Sequence, residues 1–123
     1  MTNTVSWFEI YVKDMDRAIR FYETVMDVKL QKLDTPLPGL EMWGFPADRE
    51  TYGIGGSLVR MDQFPVSGNS TIVYFDSPDC AIPLARVIPA GGTIIRPKIS
   101  ISPFGFIALV QDTEGNTIGL HSM

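Results

Sequence analysis

Ile10-Tyr11-Val12-Lys13-Asp14-Met15-Asp16-Arg17-Ala18-Ile19 lies over Val73-Tyr74-Phe75-Asp76-Ser77-Pro78-Asp79-Cys80-Ala81-Ile82 at a constant offset of 63 residues. Identities fall at Tyr11/Tyr74, Asp16/Asp79, Ala18/Ala81 and Ile19/Ile82, with apolar matches at Ile10/Val73 and Val12/Phe75. Self-similarity at a fixed spacing marks a duplicated unit. The same offset also pairs similar predicted structure, which extends the match from residues to elements.

Each copy opens with a strand. Phe8, Ile10 and Val12 alternate with Trp7, Glu9 and Tyr11, as expected when two faces meet different surroundings. The equivalent second-half strand runs from Ser70 to Asp76. An Asp14 N-cap then precedes Met15, Ala18, Ile19, Tyr22, Val25 and Met26, a helical stripe able to lie on a sheet. In the second helix Pro78 and Pro83 suit only a first turn, and Pro89 ends or kinks what precedes it. Three strands follow each helix, at about 28–33, 40–45 and 52–60, and at 93–97, 104–111 and 116–121. Asp112-Thr113-Glu114-Gly115-Asn116 is the turn joining the last two. Each half therefore reads β-α-β-β-β, with the first module at about 5–62 and the second at about 69–123. Gln63 to Asn69 has linker composition, but a half of this size buries too little to stand alone, so residues 1–123 are expected to form a single domain.

Composition narrows the function classes. Hydrophobic residues make up 45% and charged residues 20% of the 123, the balance of a globular protein. Ten basic against fourteen acidic residues, without a Lys/Arg cluster, make nucleic acid an unsuitable partner. Cys80 is the lone cysteine, so no internal disulfide points to an oxidising compartment, and Met1-Thr2-Asn3-Thr4 does not open a signal peptide. No apolar run approaches the roughly 20 residues needed to cross a bilayer. A soluble, cytoplasmic protein is expected.

The duplicated plan and the opening Trp7 to Tyr22 resemble the vicinal-oxygen-chelate superfamily of glyoxalases, bleomycin-resistance proteins and dioxygenases. The carrying pattern is a strand, then Asp14-Met15-Asp16-Arg17-Ala18, then Phe21-Tyr22. The closing Phe104 to Leu120, with Asp112-Thr113-Glu114-Gly115-Asn116 before the last strand, is similar to that family's ending. The resemblance implies an α+β fold in which two tandem modules curve into a half-open barrel. It also implies a divalent metal in the cup, held by His, Gln or Glu at four strand positions. Those positions fall on Trp7, Gly56, Ser70 and Gly119, with the register at Gly55-Gly56-Ser57 open by one residue. An indole, a hydroxyl and bare backbone are not the imidazole and carboxylate donors that hold such metals. No metal and no other cofactor are therefore expected.

Strand parity puts Trp7, Glu9 and Tyr11 on the cup face, with Ser70, Ile72 and Tyr74 across from them and Thr117, Gly119 and His121 on the last strand. Trp43, Phe104 and Phe106 fall where the family curls over its ligand. The ligand-binding candidates are thus Trp7, Glu9, Tyr11, Trp43, Ser70, Tyr74, Phe104, Phe106 and His121. Glu9 is the carboxylate expected to be desolvated, either orienting a ligand amine, acting as a base with raised pKa, or accepting a structural hydrogen bond. His121 is the only histidine and the candidate acid–base partner. Glu41 could join Glu9 and His121 in a displaced metal site, and Cys80 reads as structural. Two function classes follow. One is a metal-independent binder of a small organic molecule, homodimeric as the resemblance implies. The other is an enzyme: a lactoylglutathione-lyase-like or dioxygenase activity, or metal-free chemistry by Glu9 and His121.

Overall fold

Two β-α-β-β-β units follow one another along the chain. The first comprises β1 (Trp7–Tyr11), α1 (Met15–Met26), β2 (Gln31–Leu33), β3 (Leu40–Gly44) and β4 (Gly55–Met61). The second comprises β5 (Tyr74–Asp76), α2 (Ala81–Val87), β6 (Thr93–Ser100), β7 (Phe106–Gln111) and β8 (Thr117–Ser122). The computed structural model describes residues 4–35, 38–48, 50–62, 66, 71–103 and 105–123. Each unit folds into an open four-stranded sheet, ordered β1-β4-β3-β2 and β5-β8-β7-β6. The first and last strands of each unit pair in parallel, and the hairpin-connected strands pair antiparallel. This is the expected α+β architecture.

Asp14 starts α1 as anticipated: its backbone is extended and its carboxylate accepts the Arg17 N–H at 3.1 Å. The helix buries Met15, Ala18, Phe21, Tyr22 and Val25 on one face and ends at Asp27, in the left-handed region at φ 55°. α2 is shorter, holds Pro83 in its first turn, and stops before Pro89. One face of each sheet packs with both helices into a single apolar cluster that includes Ile10 and Leu58 of the first unit and Val110 and Leu120 of the second. The core is thus shared between the halves.

The 63-residue register does not survive intact. Ala81 and Ile82, aligned with Ala18 and Ile19, are exposed, Ile82 by 51%. Burial instead matches Cys80, Pro83 and Val87 to Ala18, Phe21 and Val25, one residue closer in spacing. The face a helix turns to its sheet, rather than residue identity, sets the equivalence. The second-half strand also begins at Tyr74, later than expected. Ser70 and most of the linker lie outside the described residues. β6 runs on to Ser100 through two register shifts, and β7 starts at Phe106.

A polar clasp joins the units. Glu114, in the β7–β8 turn, is buried, and its Oε1 accepts the N–H groups of Lys13 and Asp14 at 3.0 and 2.9 Å. Arg17 donates to the same carboxylate through Nε at 2.6 Å and Nη2 at 3.0 Å. Beside it the Tyr22 hydroxyl donates to Asp112 Oδ2 at 2.7 Å, and Asn116 Nδ2 donates to the Tyr11 carbonyl at 3.0 Å. The Asp-x-x-Gly-Asn turn therefore reaches into the first unit at the junction of β1 and α1. That fixes β1 relative to the second sheet.

Candidate functional site

Alternation along β1 sends Phe8 and Ile10 into the core and leaves Trp7, Glu9 and Tyr11 on the other face. β4 runs beside it with Trp7 opposite Gly55 and Glu9 opposite Ser57. Gly56 pairs with Phe8 on the core face, so Gly55 is the glycine that shares the cup face with Trp7. In the second sheet Tyr74 lies opposite Gly119, and Asp76 opposite His121. The two bare glycines have a common use. A Cβ on Gly55 would come within 3.2 Å of the Trp7 indole, and one on Gly119 within 2.2 Å of the Tyr74 ring. Each glycine lets an aromatic from the neighbouring parallel strand lie across the backbone.

Between the two sheets opens a cavity of about 700 Å³. Trp7 and Glu9 form one wall, Tyr74 and Asp76 the other, with Phe8, Phe45 and Phe75 among the remaining lining. Those three phenylalanines contact one another with ring centroids 5.4 to 5.9 Å apart, the spacing of favourable aromatic pairs. Trp7 and Tyr74 are 45% and 47% exposed, so two large rings face the opening unfilled. A second cavity of about 580 Å³ shares Val5, Ile54, Tyr74 and Asp76 with the first and adds His121 and Tyr52.

The polar groups are few. Glu9 is exposed, against the expectation of a desolvated carboxylate, and accepts the Tyr11 hydroxyl at 3.0 Å. Burial, and then the hydrogen bond to Glu9 and its charge, push the Tyr11 phenol up. His121 Nδ1 lies 3.1 Å from Asp76 Oδ1. The Ser57 hydroxyl, next to Glu9 across the strand pair, is fully buried without a hydrogen-bond partner among the described residues.

Trp7, Glu9 and Tyr74 of the expected set therefore come together, and His121 joins through Asp76. Tyr11 reaches the site through Glu9. Trp43 and Phe106 do not belong to the cup. Trp43 pairs with Leu58, Phe106 with Ser122, and both pack against the core, because their strands start in the opposite phase. Glu41 accepts Trp43 Nε1 at 3.0 Å and meets Arg60, away from Glu9 and His121, so it does not complete a displaced metal site with them. Ser70 and Phe104 lie outside the described residues. Cys80 is buried at the start of α2, where its N–H donates to Ser122 Oγ at 3.0 Å, a structural placement. Asp76 went unnoticed, although it stands two residues from Tyr74 on the same strand face and parity would have found it.

At the three family metal positions among the described residues, the groups present do not fit a divalent ion. Trp7 supplies an indole, and Gly55 and Gly119 supply no side chain. Among the described residues no three His, Cys, Asp or Glu side chains are grouped to hold a metal. No helix there is long and apolar enough to cross a membrane.

A two-unit α+β fold with an aromatic cavity between its sheets defines the class. The chain belongs to the Glyoxalase/Bleomycin resistance protein/Dioxygenase superfamily, whose sequence profile matches residues 4–120. A glyoxylase-like domain-containing protein of Didymella fabae is 29% identical over 118 residues, covering 92% of this chain and 88% of that protein. TnmS3, an antibiotic binding protein from Streptomyces sp. CB03234, is 26% identical with a TM-score of 0.65, covering 99% of this chain and 98% of that one. Glyoxalase I from Zea mays superposes with a TM-score of 0.74 at 21% identity over 94% of this chain. The present chain spans 44% of that maize protein.

Proposed function

We propose that the chain is a cytoplasmic protein that binds a small organic molecule in the cavity between β1 and β5, without a divalent metal. The observation that carries this is the use made of Gly55 and Gly119. Where the family places metal donors, this sequence seats the Trp7 and Tyr74 rings, lining a cavity of about 700 Å³ within the usual range for small-molecule sites. Affinity comes from aromatic burial, and Glu9 supplies polar selectivity. The antibiotic-binding relative, matched along nearly its whole length, supports the same class.

Thermal-shift screening of aromatic, cationic and thiol-conjugate compounds tests this reading, since a true ligand raises the melting temperature by mass action. Trp7→Ala should abolish the shift while the unliganded protein keeps its melting temperature within a few degrees, because Trp7 is half-exposed. Metal analysis after purification without a chelating tag is the complementary check. One equivalent of a divalent ion, removable only with loss of ligand binding, would overturn the metal-independent reading.

The proposal includes a homodimer. All eight residues of the edge strand β6 are exposed, and Ile94, Ile95 and Ile99 offer apolar surface on either side of Arg96, Pro97 and Lys98. Sedimentation velocity is expected to give twice the chain mass.

A second reading is favoured by the Asp76–His121 contact, the arrangement that orients an imidazole for proton transfer. It is a metal-free enzyme using Glu9 and His121 as acid and base. Turnover of a bound compound, lost in both Glu9→Gln and His121→Gln, would select it over simple binding.

A further inference from the structure

The two sheets each contribute one carboxylate to the cavity: Glu9 from β1 and Asp76 from β5. Among the described residues that line it these are the charged ones, and neither lysine nor arginine joins them. The adjoining cavity shares Asp76, whose carboxylate lies 3.1 Å from His121 Nδ1, and among its described lining residues there is no lysine or arginine. The group that meets Glu9 is the neutral Tyr11 hydroxyl. Both carboxylates stand beside half-exposed aromatic rings, Glu9 two residues from Trp7 and Asp76 two residues from Tyr74, each pair on one strand face. Indole and phenol faces carry negative quadrupole potential and attract a cation placed over them. Charge and ring faces therefore favour the same sign of ligand.

We infer that the cavity takes an organic cation, a flat apolar body carrying a positively charged nitrogen that lies against Trp7 and Tyr74 with its charge toward Glu9 and Asp76. This rests on the binding reading above and adds the sign of the ligand's charge. A carboxylate-bearing compound of the same shape would meet like charge on both walls, with no guanidinium or ammonium among the described lining residues to receive it.

Two three-ring probes of matched size test the inference: 10-methylacridinium, permanently cationic, and anthracene-9-carboxylate, anionic at neutral pH. Titration calorimetry on the full chain is expected to show the cation binding at least tenfold more tightly. Glu9→Gln and Asp76→Asn are near-isosteric changes at exposed side chains, and each should cut that preference several-fold. The double variant should leave only the few-fold preference that the ring faces supply. Trp7→Leu should weaken both probes, and the cation more than the anion, because the indole face goes with the ring. Equal affinities in the unaltered protein, or a preference undiminished in the double variant, would overturn the cationic assignment while leaving the aromatic binding site standing. If neither ring binds, the binding reading fails and the inference fails with it.

Discussion

Glu114 is a carboxylate without solvent at the seam of the molecule, and its surroundings determine what it does to stability. Burial works against its charged form, but the Arg17 guanidinium and the N–H groups of Asp14 and Lys13, with the Thr113 hydroxyl, overcome that and hold its pKa at about 2. An unfolded glutamate titrates near 4.5. The folded value is depressed, so the stabilisation is fully present above the unfolded pKa and is lost as pH falls through the window from about 4.5 to 2. Its size is about 3 kcal/mol, because each tenfold drop in proton affinity on folding is worth about 1.4 kcal/mol. Glu114→Gln should lose most of that at pH 7 and flatten the acid limb of a urea-midpoint-against-pH profile. Tyr22→Phe removes the buried hydroxyl that Asp112 accepts, but Asp112 keeps the N–H groups of Glu114 and Asn116. A smaller loss of about 1–2 kcal/mol is expected by chemical denaturation.

At the scale of the elements, the parallel pairs β1/β4 and β5/β8 decide where rings can lie. Gly119→Ala puts a methyl where the Tyr74 ring now is, and Gly55→Ala does so more gently against Trp7. We expect Gly119→Ala to cost about 1–3 kcal/mol and to weaken ligand binding more than Gly55→Ala, measured by denaturation and calorimetry on the same preparations. What the sequence allowed to be read follows from the same geometry. The β1 face of Trp7, Glu9 and Tyr11 was legible because a strand alternates strictly and its core side, Phe8-Ile10-Val12, is unambiguously apolar. Trp43 and Phe106 were misplaced because β7 is apolar on both faces and β3 sets Trp43 on the face that carries Glu41, so alternation does not reveal which face is buried. Gly55 and Gly56 could be told apart only by the register with β1. The Glu114 clasp was invisible: its partners lie about a hundred residues away, and no local pattern encodes a contact of that range.

Across the whole molecule the shared core and the clasp make the two units one cooperative body. Near-ultraviolet and far-ultraviolet transitions are expected to coincide in urea, and Glu114→Gln should shift both midpoints together; separated transitions would mean that the units melt independently. The clasp also orders events in time. A nascent chain emerging from the ribosome has released both helices and every strand but the last before residues 112–116 are available. Until they emerge, Lys13, Asp14 and Arg17 wait without their acceptor, and the cavity between β1 and β5 has no fixed width. The cavity is therefore finished by the turn before the last strand rather than by the residues that line it.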